Sequence, residues 1–196
     1  MKHKIGTICM FLGAALIFAA LSLFLLNERQ ARQAQESADD LLQQVEQLVD
    51  VPDYSQDLPD PYDVTMTEKE IEGYMYIGCL SIPSLNLELP IMSNWSYVQL
   101  RIAPCRYSGS SKSDDLVLMA HNYKSHFGNL SKLEVGDDVL FTDMDGAVTQ
   151  YAVSAKDILL PTAVEEMIAG EYDLTLFTCT YGGRSRVTIR CDRVKE

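Results

Sequence analysis

The sequence predicts an all-β domain of barrel or sandwich type, carried behind a membrane-spanning amino-terminal helix. Two patterns lead to this. Between residues 77 and 190, seven or eight short apolar or alternating runs are set apart by turn residues, leaving room for little helix. Ahead of them, Ile5 to Leu26 is a run of 22 residues without a charge. At about 1.5 Å per residue, such a run crosses a hydrocarbon core of roughly 30 Å.

The elements follow in order. The apolar run continues past Ala19 and Ala20 through Leu21, Leu23, Phe24, Leu25 and Leu26. A cleavable signal peptide has an apolar core of about 7–15 residues and stops at a small-residue site. Residues 1–26 are therefore expected to be a cytoplasmic tip and an uncleaved anchor. Lys2 and Lys4 precede the span and Arg29 and Arg32 follow it. A short basic tail stays inside, so the amino terminus is expected in the cytoplasm and the rest of the chain outside the cell. Residues 27–50 are polar and free of Pro and Gly, with Ala31, Ala34, Ala38, Leu41, Val45 and Leu48 at alternating spacings of three and four. This is a helical stalk. Three of its six stripe residues are alanine, which suits a face laid on the domain better than a dimeric coiled coil; the sequence leaves the oligomeric state open. Residues 51–70 read as a linker, since VPDYSQDLPDPYD (51–63) holds three prolines and four aspartates. The folded domain is expected to fill residues 71–196.

Within it, IGCLSIP (77–83) is a strand stopped by Pro83, and LNLELPI (85–91) alternates Leu85, Leu87 and Leu89 against Asn86 and Glu88. LVLMA (116–120) is a continuous apolar run, as expected for a strand buried on both faces. VGDDVLFTDMDGAVTQYAVS (135–154) reads as a hairpin turning at Asp145-Gly146. DILL (157–160) is a further strand, TAVEEMIAG (162–170) a short helix ended by Gly170, and LTLFT (174–178) and RVTIR (186–190) close the domain.

Composition narrows the function. All 28 acidic residues lie after the span, against 14 of the 16 Lys and Arg. A nucleic-acid partner needs a basic footprint, so none is expected. The five cysteines, Cys9, Cys79, Cys105, Cys179 and Cys191, contain no C-x-x-C pair and no regular spacing, which is neither a disulfide framework nor a zinc pattern. Asp114 and Asp115 with Glu165 and Glu166 could approach a calcium site, but adjacent carboxylates alone are a weak signal for an ion that takes six to eight oxygens. No metal and no cofactor is expected.

An exported, unpaired thiol is either buried or reactive. Cys179 ends the apolar strand LTLFT, and the chain then turns through Tyr181, Gly182 and Gly183 before Arg186 opens the next strand. In a period of two, Arg186, Thr188 and Arg190 share one face and Val187, Ile189 and Cys191 the other. His121 directly follows the run 116–120, at a strand end that can hold a side chain over a cleft; His126 lies further along the loop, and His3 at the amino-terminal tip. A thiol, an imidazole and a guanidinium make a coherent set: a nucleophile, a proton carrier and a stabiliser of developing oxyanion charge. The same residues also suit a buried thiol, a structural histidine and a surface arginine. Arg184, in the turn, reads as a solvated loop charge.

At these residues the chain resembles the sortases, membrane-anchored cysteine transpeptidases of Gram-positive bacteria. TLFTC (175–179) followed by an arginine resembles their T-L-x-T-C…R motif. IGCLSIPSLNLELPI (77–91) is similar to their opening strand pair, LMAHN (118–122) to their A-G-H segment with Ala120 in place of glycine, and LSKLEVGDDVLFTDMDGAVTQYAV (130–153) to their L-x-x-G-D hairpin region. The resemblance implies an eight-stranded sortase-type β-barrel with one or two short helices. It implies Cys179 as nucleophile, His121 as catalytic histidine and Arg186 as the arginine, with Arg184 close by as the competitor. It also implies cleavage of an LPxTG-like sorting signal of exported surface proteins through a thioacyl enzyme, and transfer to a cell-wall or pilin amine. A cysteine hydrolase with a similar site, or a non-catalytic barrel binding a surface ligand, are the competing functions. The connection 161–173, short here, shapes substrate choice in this family and fits poorly with the long helical insertion of class B. Asp60-Pro61-Tyr62 resembles the lid of pilus-building sortases, although ordinary linker is the better reading.

Overall fold

The computed structural model describes residues 2–50 and 64–195; Asp60-Pro61-Tyr62 and most of the linker lie outside them. The chain forms two compact units, residues 1–33 and 34–196. Helix α1 (Lys2–Leu48) contributes to both. In the first unit it presents Met10, Phe11, Leu16, Phe18, Leu23 and Phe24 as exposed apolar side chains, and it is long and apolar enough to cross a membrane. In the second unit Ala34, Ala38, Leu41 and Val45 are buried. The small alanines let the helix backbone come close to the sheet.

The second unit is a closed barrel. Its strands are β1 (Lys69–Ile71), β2 (Tyr74–Ile82), β3 (Leu87–Met92), β4 (Cys105–Ser108), β5 (Leu116–Ala120), β6 (Asp138–Asp143), β7 (Val148–Leu159), β8 (Leu174–Cys179) and β9 (Arg186–Arg193), with helix α2 (Val164–Met167) between β7 and β8. The order is β1-β2-β3-β4-β5-β8-β9-β7-β6, and β6 pairs back onto β2. Eight strands, β2 to β9, thus close on themselves, removing free sheet edges. Short β1 adds to β2 at residues 74–76, beside the β6 pairing at 78–81. Closure depends on Gly78. Its φ is +145°, and a Cβ there would lie 2.0 Å from the Thr142 carbonyl oxygen, so only glycine admits so close a strand.

Most predicted strands are present. Pro83, with no N–H to donate, ends β2 and opens a 3₁₀ turn. At the turn between β6 and β7, the Asp143 carboxylate accepts the amides of Asp145 and Ala147 at 3.0 and 2.9 Å. DILL is not a separate strand: it is the end of β7, which runs 12 residues and absorbs an irregularity between Val153 and Ala155. β1 and β4 were not expected. The predicted helix over 162–170 shrinks to the single turn of α2.

Leu80, Ile82, Leu89, Ile91, Leu116, Leu118, Val139, Phe141, Leu174, Leu176, Ile189 and Cys191 fill the barrel. A second cluster joins Leu41 and Val45 of α1 to Ile71, Tyr76, Met92 and Cys105. A third, of Val117, Met167 and Phe177, lies on the outer face of β5 and β8.

Candidate functional site

That outer face is where the sequence candidates meet. β5 and β8 run parallel, with Ala120 opposite Thr178. The residues that follow are His121 and Cys179, brought side by side although 58 positions apart. β8 and β9 are antiparallel, with Cys179 opposite Arg186. Alternation assigns the faces: Leu174 and Leu176 fill the barrel while Phe177 belongs to the outer cluster, so Cys179 lies on the outer side with Phe177. By the same rule His121 follows Val117 and Met119, and Arg186 follows Arg190 and Thr188. Cys179 is half-buried.

A residue the sequence reading passed over fixes this junction. Thr178, buried on the inner side, donates its hydroxyl to the Ala120 carbonyl at 2.8 Å. The bond ties the two strand ends immediately before His121 and Cys179. The signal was available, since a β-branched hydroxyl residue at an otherwise apolar inward position calls for a buried acceptor.

The loop after His121 is tacked to the core by Phe127 and Leu130, both fully buried. The Phe127 amide donates to the His121 carbonyl at 3.2 Å, and the His126 and Gly128 amides donate to the Tyr123 carbonyl at 3.0 and 2.8 Å. Gly128 has no room for a side chain: a Cβ would stand 2.6 Å from the carbonyl oxygens of Asn122 and Tyr123. The rings of His121 and Tyr123 are 5.1 Å apart, and those of Tyr123 and His126 are 5.5 Å apart.

After Cys179 the chain reverses. Gly182 and Gly183 adopt φ of +87° and +73°, open to glycine at little cost. The Thr180 amide donates to the Ser185 carbonyl at 2.9 Å and the Gly183 amide to Thr180 at 2.8 Å. Arg186 Nη1 donates to the carbonyls of Gly183 and Ser185 at 3.2 and 3.1 Å, holding its half-buried guanidinium at this turn. Arg184 is exposed.

Electrostatics bear on His121 and on the three other described thiols. Burial, then the positive charge of Arg101, lowers the pKa of His121 below the usual imidazole value. Burial pushes the thiols of Cys79, Cys105 and Cys191 up to about 12, so these thiols stay protonated and inert. Of the acidic residues named for calcium, Asp114 pairs with Arg193 at 2.6 Å, and the Asp115 carboxylate accepts the Ser110 amide at 2.9 Å. Among the described residues no group of three or more His, Cys, Asp or Glu side chains could hold a metal ion.

A family model described as Sortase domain matches residues 80–194, more than half of the chain and all of the strands that carry the candidates. No curated protein sequence matches. Among solved structures, sortase C1 from Streptococcus agalactiae is 27% identical, with a TM-score of 0.57, over 73% of this chain and 79% of that one. Sortase A from Corynebacterium diphtheriae is 20% identical with a TM-score of 0.58, over 86% of this chain and 92% of that one. Sortase C from Clostridium perfringens is 22% identical with a TM-score of 0.55, over 86% and 91%. The latter two share the fold. A, C and D classes are all represented among such neighbours, and the subclass of this chain is unresolved.

Proposed function

The chain belongs to the sortase family, and on that premise we propose that it is a transpeptidase using Cys179, His121 and Arg186 on the sorting signals of exported surface proteins. The observation that supports these residues is the register: β5, β8 and β9 deliver an imidazole, a thiol and a guanidinium to adjacent positions on one outer face. Cys179 Sγ attacks the carbonyl carbon at the cleavage site. The thiol proton passes through His121 to the departing amine, and the acyl group stays on sulfur as a thioester. An incoming amine from a cell-wall precursor or a pilin then attacks the thioester, gives a proton to His121, and releases Cys179 as the thiol. Arg186, fixed by the turn carbonyls, donates to the carbonyl oxygen as it gains negative charge in both steps. The depressed pKa of His121 supports a neutral imidazole ready to accept the first proton. The helix in residues 2–33 supports a membrane anchor, with the amino terminus in the cytoplasm and the catalytic domain outside.

The test uses the full chain in detergent with LPxTG-like peptides and an added amine. The expected result is a mass increase on Cys179 equal to the acyl fragment, converted by amine into a new amide product. No adduct with a broad peptide panel, or undiminished turnover in Cys179→Ala, overturns the proposal. Release only as free acid, unaffected by amine, makes the enzyme a hydrolase instead.

A further inference from the structure

Trp95 is the only tryptophan in the chain, and it stands 42% exposed in the loop between β3 and β4. A large aromatic side chain left in solvent marks an interaction site when its surroundings hold it still and give it a polar rim. Both conditions are met. The indole stacks on Tyr107 of β4, with ring centres 5.9 Å apart and planes at 29°, and meets the Tyr97 ring edge-on at 6.0 Å and 87°. Tyr107 in turn packs edge-on against Phe177 at 5.3 Å. The loop is pinned on both sides of Trp95. The Ser93 amide donates to the Met75 carbonyl at 2.8 Å, and the Gln99 amide donates to Ser96 Oγ at 3.1 Å. The ring is set before a ligand arrives, which lowers the entropic cost of binding.

Beside the indole lies an open cavity of about 430 Å³, lined by Trp95 and Tyr107 together with Ser93, Asn94, Arg106 and Ser108. That volume is in the range of about 300–1,000 Å³ usual for small-molecule sites. Its chemistry suits a neutral ligand. The charge of Arg106 is balanced by Glu68, which accepts from Nη2 at 3.0 Å, while Nε donates to the Ser93 carbonyl at 2.9 Å. What is offered to a ligand is a flat apolar face next to uncharged polar groups, the exposed Asn94 and the half-buried Ser108. A pyranose matches both. One face of its ring presents aliphatic C–H groups to the indole, and the hydroxyls at its edge exchange hydrogen bonds with an amide and a serine. A lipid surface matches less well, since the chain after the span carries 28 acidic residues against 14 Lys and Arg and anionic headgroups attract basic segments.

We propose that Trp95 and Tyr107, with Asn94 and Ser108, form a binding site for a neutral pyranose unit of a glycan. Phe177 connects it to the outer face that carries Cys179, two residues further along β8. The proposal goes beyond the transpeptidase reading, and its test needs no turnover. The full chain in phosphatidylcholine vesicles is titrated with triacetylchitotriose, maltotriose and cellotriose while tryptophan fluorescence, which reports Trp95 alone, is followed. At least one trisaccharide is expected to give a saturable blue shift and to shield the indole from acrylamide. By calorimetry, Trp95→Ala is expected to weaken that binding about tenfold or more, and Asn94→Ala about fivefold, as the loss of one hydrogen bond does. No response to any of the three sugars, or undiminished binding in a folded Trp95→Ala protein, overturns the proposal. So does a response to choline chloride without one to sugar, which makes the aromatic pair an ammonium site. Quenching of Trp95 by brominated phospholipid chains makes it a membrane contact and overturns it as well. If Trp95→Ala does not fold, the double variant Asn94→Ala, Ser108→Ala decides: weaker sugar binding supports the site, equal binding overturns it.

Discussion

At the scale of single residues, the assignment of roles rests on how each side chain is held. Arg186 is fixed to the turn and set opposite Cys179, whereas Arg184 is exposed. Replacing Arg186 by alanine is expected to lower kcat by about 10²–10³, the usual loss for one oxyanion donor, while Arg184→Ala stays near wild type; steady-state kinetics of the pair decide it. Arg101→Gln removes a positive neighbour of His121 and is expected to move the acidic limb of the kcat/KM profile to higher pH. His126 gives a different pH effect. It is fully buried, and burial lowers its pKa to about 4. The unfolded chain protonates near the ordinary value of 6.5, so between pH 6.5 and 4 it holds more protons than the folded one. Stability is therefore complete above that window and declines through it as pH falls, by a total of about 3 kcal/mol. Chemical denaturation of His126→Met is expected to show a flatter pH dependence over that interval. Of these residues, the strand-end positions of Cys179, His121 and Arg186 were legible in the sequence. For His126 the sequence left core and loop roles both open, because a polar loop residue carries no periodic signal; it is buried.

At the scale of elements, the loop from His121 to Leu130 and the joint between β5 and β8 decide whether the site forms. Gly128→Ala forces a Cβ against two carbonyl oxygens. It is expected to displace His121 and cost about 10²-fold in kcat, an effect typical of small misplacements. Thr178→Val leaves the Ala120 carbonyl buried without its donor, an expected loss of about 1–3 kcal/mol by thermal denaturation. Strands with clean alternation or long apolar runs were readable from the sequence. β1 and β4 were not, since KEI and CRYS are too short and too polar to show a period, and β4 meets β3 at one residue pair. DILL looked separate because the irregularity near Ser154 shifts the alternation by one residue, hiding the continuity of β7.

At the scale of the molecule, the barrel was predictable from strand count, but the way it closes was not, because β5–β8 and β2–β6 pairings link segments far apart in sequence. The stripe of the stalk, in contrast, was readable as a face laid on the domain: Ala38 joins the barrel cluster, and Leu41 and Val45 the second one. Leu41→Ala is expected to destabilise the domain by about 2–4 kcal/mol in urea titration, as a core truncation rather than a surface change does.

The register of the site has a consequence for biosynthesis. The imidazole arrives on one strand, the thiol 58 residues later, and the guanidinium on the last strand of all. Bringing Cys179 beside His121 therefore waits on closing the long connection between β5 and β8, a slow step for a non-local parallel pairing. Under the proposed function the order of pairing acts as a safety catch: the thiol stays unarmed until β8 has paired with both β5 and β9.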